Sequence, residues 1–304
     1  MHSIKKLSRR GRRTGITTGV CGLALASVAV LGAPAAHAAD APIGGVTGNY
    51  TGADVTGPGA EPLTAQAKEK IALTEAWYAA VQGHGDLASV QRRESAYLAK
   101  YKLTDKRTVQ ARSGEFAAMA APTSKTLRLT HYGQAKGFYC GPATGAMMIK
   151  MSDGAIRSKY NRNAFSQANL ANSAHMNTQN AGRTDWSSKR FVTGINRWRG
   201  EPYYVQVPKP SATLTVKALR HAIGTNSMPV AADTVEFANG RHYNGHPVNK
   251  TIGHWITAYG YSSSGGTGKW ADPSTTVWSS VNKTFSYNTG NFARYFLQSN
   301  GIAY

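Results

Sequence analysis

Two cysteines occur in 304 residues, Cys21 and Cys140, and that scarcity constrains the fold more than any other feature. A scaffold stapled by several disulfides is excluded, so stability has to come from a packed core. The material for one is present. Hydrophobic residues make up 41% of the chain, and a charged fraction of 16% is too low for a disordered polyelectrolyte. Cys21, moreover, lies in a segment that reads as a secretory signal. Lys5, Lys6, Arg9, Arg10, Arg12 and Arg13 form a basic front. Residues 20–31 are apolar apart from Cys21, Gly22 and Ser27, and Ala36-His37-Ala38 is a small-x-small cleavage site. Those 12 apolar residues, rising about 1.5 Å each, fall short of a roughly 30 Å hydrocarbon core, so a membrane anchor is the weaker reading. The Arg9-Arg10 pair leaves two export routes open.

Loss of residues 1–38 takes six basic side chains and no acidic ones. That leaves 29 Lys and Arg against 15 Asp and Glu, a net charge of +14 instead of +20. Cys140 becomes the only sulfhydryl, so an internal disulfide cannot form. In an oxidising compartment such a thiol is a liability unless it is buried or used. The expectation is a secreted protein, extracellular or associated with a cell wall, with no stable membrane insertion once the signal is gone. Its basic residues are scattered rather than clustered, which speaks against nucleic acid as a partner. Anionic wall polymers or lipid headgroups are the natural counter-charge outside a cell.

Residues 39–61 are rich in Gly, Ala, Thr and Pro and read as a flexible lead-in. A helical hairpin is expected over 62–103. Ala67, Ile71, Thr74, Tyr78 and Val81 recur at helical spacing, Asp86 is placed to cap a second helix whose Leu87, Val90, Tyr97 and Tyr101 share a face, and Gly83-His84-Gly85 parts the two. Residues 104–126 read as a linker. The segment before it is an accessory, a wall-binding arm or a removable pro-segment. From 127 onward aromatics, glycines and short apolar runs become dense. Strands are expected at 127–131, 203–207, 228–237, 252–261 and 269–272, with a Ser/Gly-rich turn at 262–268. Helices are expected at 140–151, 166–174, 186–198 and 214–223. Helices first and strands later indicate an α+β domain over 127–304, with helices on one side of a mostly antiparallel sheet.

Within that domain Cys140 opens a helix whose first turn contains Pro142. The helix dipole there favours thiolate over thiol, and Gly141 would let a substrate carbonyl come close. A nucleophilic thiol needs a base. His254, on an aromatic-rich strand, can be aimed rigidly at a helix N-terminus. Asp272 ends the next strand, from where a carboxylate can hold the far ring nitrogen. Gln134, six residues before the cysteine, is placed to donate to an oxyanion together with the Cys140 N–H. His242, His246 and His254 are candidate metal ligands. Gly245 and Pro247 spoil a helix between the first two, no carboxylate completes a zinc-protease signature, and neither metal nor cofactor is expected. There is no Gly-x-Ser-x-Gly elbow for a serine hydrolase.

Residues 127–304 resemble the papain-like cysteine peptidases, and are most similar to the double-glycine leader peptidase family (family thirty-nine of the cysteine peptidases) in its secreted stand-alone form. The matching pieces are Gln134, then Tyr139-Cys140-Gly-Pro-Ala-Thr-Gly-Ala, Phe165-Ser-Gln-Ala-Asn-Leu170-Ala, Gly253-His254-Trp-Ile-Thr-Ala-Tyr-Gly-Tyr261 and Trp270-Ala-Asp272-Pro. The resemblance implies a papain-like fold with Cys140 as nucleophile, His254 as base, Asp272 as its orienter and Gln134 in the oxyanion hole. It implies a peptide or protein substrate cleaved through an acyl-enzyme. Two alternatives use the same scaffold: a cell-wall amidase or endopeptidase of the same chemistry, and a secreted binding protein without catalysis. Gly268-Lys269 is followed by Trp270, so there is no phosphate loop, and the membrane helices and ATPase of the transporter-linked members are not expected. The stretch 239–250, leading into the histidine strand, is longer than the resemblance suggests.

Overall fold

A computed structural model describes residues 62–105 and 122–304. The expected signal at 1–38, the expected lead-in at 39–61 and most of the expected linker lie outside the described residues. Two helices come first, α1 (Ala65–Val81) and α2 (Leu87–Lys100). Thr64 Oγ1 accepts from Ala67 N, and the Asp86 carboxylate accepts from Ala88 N and Ser89 N, so each helix begins on a side-chain cap. Between them the chain turns at Gly83, whose φ of +81° suits glycine. The buried face of α1 is Ala67, Lys70, Leu73, Thr74 and Trp77. Ile71, Tyr78 and Val81, expected to be inward, are only half-buried. Polar anchoring makes the difference. The Lys70 ammonium donates to the carbonyls of Tyr203 and Tyr304, both at 2.7 Å, and lies 3.7 Å above the Tyr203 ring. A lysine so anchored belongs inside, although hydropathy alone would put it outside.

The remaining elements are β1 (Lys125–Thr126), α3 (Cys140–Ser152), α4 (Gln167–Ala171), α5 (Thr178–Ala181), α6 (Arg190–Arg199), β2 (Gln206–Pro208), α7 (Ala212–Leu219), β3 (Val230–Glu236), β4 (Ile252–Ser262), β5 (Thr267–Ala271), β6 (Thr284–Asn288), α8 (Thr289–Phe296) and β7 (Gly301–Ala303). The strands run in the order β2-β7-β3-β4-β5-β6, with β1 added alongside β4, and every neighbouring pair is antiparallel. The class is therefore α+β, with helices packed on an antiparallel sheet.

The helices cover both faces of that sheet, not one. Ala231 and Trp255 join a core with α3, α6 and the α1–α2 hairpin, whereas their neighbours Ala232 and Ile256 join a second core with α7 and α8. Alternation along a strand sends successive side chains to opposite faces, so both faces must be apolar and both need a cover. Aromatic stacking fills each core. Phe191 lies flat on Trp255 with ring centroids 4.0 Å apart, and Trp270 stacks on Phe292 at 4.2 Å.

Several expected elements shift. The strand foreseen at 127–131 is not one; pairing is confined to Lys125–Thr126, after which Leu127 N makes a single bond to Tyr259 O. The helix foreseen at 166–174 starts on its Ser166 cap but stops at Asn172, whose backbone is extended. The strand at 203–207 is displaced to Gln206–Pro208, the residues that pair with β7. Helix α7 runs on into a π-helical turn at Arg220–Thr225. Elements α5, β6, α8 and β7 had no counterpart in the sequence reading.

Candidate functional site

Cys140 is the first residue of α3, and ten consecutive residues from it to Ile149 are buried. Two threonines fix where the helix starts. Thr144 Oγ1 donates to Trp255 O at 2.8 Å, which ties the first turn of α3 to β4 one residue past His254. Thr184 O accepts from Trp255 Nε1 at 2.8 Å, and the Thr184 side chain fills the space in front of Gly141, where a Cβ would meet its Oγ1 at 2.1 Å. The glycine after the cysteine therefore serves the close packing of Thr184, not the approach of a substrate carbonyl expected from the sequence.

His254 sits on β4 opposite Thr234 of β3, whose Oγ1 donates to the His254 carbonyl at 2.9 Å. On one side Cys140 lies within electrostatic reach of its ring. On the other, Nε2 donates to Asp272 Oδ1 at 2.9 Å. Asp272 follows β5 directly and caps the short turn Pro273–Thr276, its Oδ1 also accepting from Ser274 N at 2.9 Å and Ser274 Oγ at 2.6 Å. Cys140, His254 and Asp272 thus come together in one row, hydrogen-bonded between His254 and Asp272, and all three are buried. Burial works against a charged His254 ring. Asp272 and then Cys140 outweigh it, and the pKa is pushed up to about 10. Burial likewise works against the Asp272 carboxylate, but His246 and His254 hold it well below the usual carboxylate range.

Gln134 is brought close but is turned differently from the expectation. Its backbone is locked to the Asp272 turn, Gln134 N donating to Pro273 O and Thr276 Oγ1 donating to Gln134 O. Its side-chain Nε2 donates to the carbonyls of Gly137 (2.6 Å) and Lys136 (3.1 Å). Both amide hydrogens are spent on the loop that leads to Cys140, so the side chain offers none to an oxyanion in this conformation.

Four further residues complete the cluster, and the sequence reading gave none of them a role in this row. Asp272 Oδ2 accepts from Asn244 Nδ2 at 2.9 Å and from His246 Nε2 at 3.0 Å. His246 Nδ1 faces Glu236 Oε2 at 2.6 Å, and Glu236 Oε1 accepts from Tyr243 N at 2.7 Å. Ser274, which bonds Asp272, also lies 3.2 Å from His246. Only Ser274 carried a local signal, since Asp-Pro-Ser reads as a capped turn. Asp233 is the other surprise. It lies on β3 opposite Trp255. Burial, then the charge of Cys140, keeps its carboxyl well above the usual range, against a hydrogen bond from Asn300 and the pull of His254.

The donor atoms of His246, His254 and Asp272 lie within 4.8 Å of one another, a spacing that a metal ion also favours. His246 and His254 each face Asp272 at hydrogen-bond distance. His242 turns its ring nitrogens to the carbonyls of Gly240 and Lys250, away from His246 and His254. Among the described residues no helix is long and apolar enough to cross a membrane.

Such a row can activate a thiol, shuttle a proton and hold the shuttle's ring in one orientation. Compared with known proteins, residues 126–304, more than half of the chain, match the model of the peptidase C39-like family. No curated protein and no solved structure matches the chain.

Proposed function

Because the chain belongs to the peptidase C39-like family, a family of cysteine-peptidase type whose papain-like fold agrees with this α+β architecture, we propose that it is a secreted hydrolase that cleaves peptide bonds with Cys140. The observation that carries this reading is Cys140 at a helix start, within electrostatic reach of a His254 ring that Asp272 holds by a hydrogen bond. The Cys140 thiolate, favoured by the helix start and by the His254 imidazolium, attacks the substrate carbonyl carbon. The developing oxyanion lies toward the N–H groups of Cys140 and Gly141 at the start of α3. His254 passes its proton to the leaving amine, and a thioester remains. Water then attacks that thioester while His254 takes its proton, and the thiolate returns. Asp272 keeps the imidazole in the orientation that serves both steps.

Digestion of a peptide library by the wild type and by Cys140→Ala tests this reading. Turnover by the wild type alone supports it, and equal turnover, or none in either, refutes it. Thiol titration gives a second check. Alkylation of Cys140 by iodoacetamide should persist well below the ordinary cysteine range of about 8.5, and should move back to that range in His254→Ala. The charge of +14 after signal removal supports a substrate within an anionic cell wall. Release of soluble fragments from purified peptidoglycan, set beside the peptide digest, separates a wall endopeptidase from a general peptidase.

A further inference from the structure

The pair His246–Glu236 lies behind Asp272 and has no part in the chemistry described so far. His246 is fully buried, with a carboxylate oxygen on each side of its ring, Glu236 Oε2 at 2.6 Å from Nδ1 and Asp272 Oδ2 at 3.0 Å from Nε2. At such distances each facing pair shares a proton, and although burial works against a charged ring, Glu236 and then Asp272 push the His246 pKa up to about 9, which keeps both protons on the ring. Both nitrogens therefore carry protons, and His246 is an imidazolium. With Cys140 as the thiolate of the reading above, charges alternate along the row through His254, Asp272 and His246 to Glu236.

We propose that Glu236 and His246 are positioning residues for the cysteine hydrolase read above: a fixed cation and its counter-ion that lock the Asp272 carboxylate toward His254 and limit how tightly His254 keeps its proton. The proposal rests on the reading of Cys140 and His254 as nucleophile and base. Orientation alone does not require such a pair, since Asn244 and Ser274 already give Asp272 neutral donors at 2.9 Å or less. A buried cation and a second buried carboxylate carry a desolvation cost, so their presence points to an electrostatic task. The task follows from the geometry. Asp272 divides its charge between two imidazoles whose ring centroids are 5.3 Å apart. A cation at that distance weakens the hold of Asp272 on the His254 proton, which has to leave His254 for the departing amine.

Other groups around the two rings do not supply this effect. On His246 lie Tyr243, with centroids 4.6 Å apart, Trp278 at 4.9 Å, and Ser274. Around His254 lie Cys140, Trp278 and, within electrostatic reach from β3, Asp233, whose carboxyl is held toward its neutral form. His131 reaches only the Asp272 backbone carbonyl, at 2.7 Å.

Glu236→Gln is the discriminating variant. The new amide oxygen still accepts from Tyr243 N, while its NH₂ meets His246 Nδ1 as a donor, so His246 keeps only its Nε2 proton and becomes neutral. Ring ¹⁵N shifts of His246 and His254, followed across pH in the full chain, read the result without any substrate. The wild type should show both His246 nitrogens protonated at pH 7.5. In the variant His246 should carry one proton, and the His254 midpoint should rise by about one pH unit. With a cleavable peptide, the alkaline limb of kcat/KM should rise equally and kcat should fall. A His246 that is neutral in the wild type overturns the proposal whether or not the variant folds, and so does an unmoved His254 midpoint in a folded variant. Failure of the underlying reading looks different. Cys140 would then titrate like an ordinary thiol in the wild type, indifferent to His254→Ala, whatever the state of His246, and that result overturns both.

Discussion

Two of the buried polar clusters among the described residues are built on opposite plans. Around Asp272 every charged group faces another charged group at hydrogen-bond distance, so the row is rigid and each proton's place depends on its neighbours. Under the hairpin, Lys70 is satisfied by two backbone carbonyls and an aromatic face. Thr74 Oγ1 lies 3.1 Å from His221 Nδ1, and Glu94 approaches His221 only to 3.7 Å. The first plan sets proton affinities. The second stitches α1 and α2 to the body, with Trp77, Leu73, Val90 and Tyr97 in the same hydrophobic core as Cys140 and Trp255. Buried polarity by itself therefore does not mark a reactive site; what marks it is whether the partners can exchange or share a proton.

The comparison breaks most visibly under substitution. Cys140→Ala or His254→Ala should lower peptide turnover by about a thousandfold or more while the chain stays folded, measured by initial rates beside circular dichroism. Trp77→Ala, on the hairpin side, should do the reverse. It should cost about 3–5 kcal/mol in denaturant unfolding and leave the pH midpoint of Cys140 alkylation where it was. A shifted midpoint there would mean that the two clusters are not separate in function. Gly141→Ala lies between these extremes. The added methyl collides with Thr184 and displaces the start of α3, so turnover should drop about tenfold or more, with Thr184→Ala restoring part of it.

The smallest effect is a difference in pH dependence, and its two halves have opposite signs. His246 and His254 bind protons more tightly in the folded chain than when unfolded, where histidine titrates near about 6.5. Their contribution to stability is complete below that pH and is lost as pH rises toward about 9 and about 10. Asp272, held low, contributes above about 3.9 and loses that contribution only as pH falls through its folded value. Lys70 runs the other way from the histidines. Burial lowers its proton affinity well below the lysine range, so the folded chain sheds that proton first and a rise toward about 10.4 favours folding. Lys70→Met should therefore cost about 1–3 kcal/mol at neutral pH, because two carbonyls lose their donor, and should steepen the alkaline decline. Thermal unfolding at several pH values in wild type and variant checks both; a decline of unchanged slope would assign Lys70 no part in it.

What could be read from the chain depended on how local the cause was. The helix at Cys140, the Asp86 cap, the strand of His254 and the Asp-Pro turn at Asp272 are each written in a few adjacent residues, and family-like blocks around Cys140 and His254 added the fold class. Elements after Asp272 escaped because Phe292 and Phe296 of α8, and Ile302 of β7, take their meaning from a second sheet face that no local pattern announces. Lys70 was invisible as an inward residue because its partners, Tyr203 and Tyr304, are more than a hundred positions away.

The order of Gln134, Cys140, His254 and Asp272, the single cysteine beyond Cys21 and the basic charge were determined by the sequence alone, because residue type and spacing are properties of a line. The choice of Glu236, Asn244 and His246 as the company of Asp272, and the turning of the Gln134 amide toward its own loop, were decided only in three dimensions. Hydrogen bonds reach about 3 Å and take no account of separation along the chain, so which oxygen meets which nitrogen is settled when β3, β4, the 239–250 loop and the turn after β5 come together.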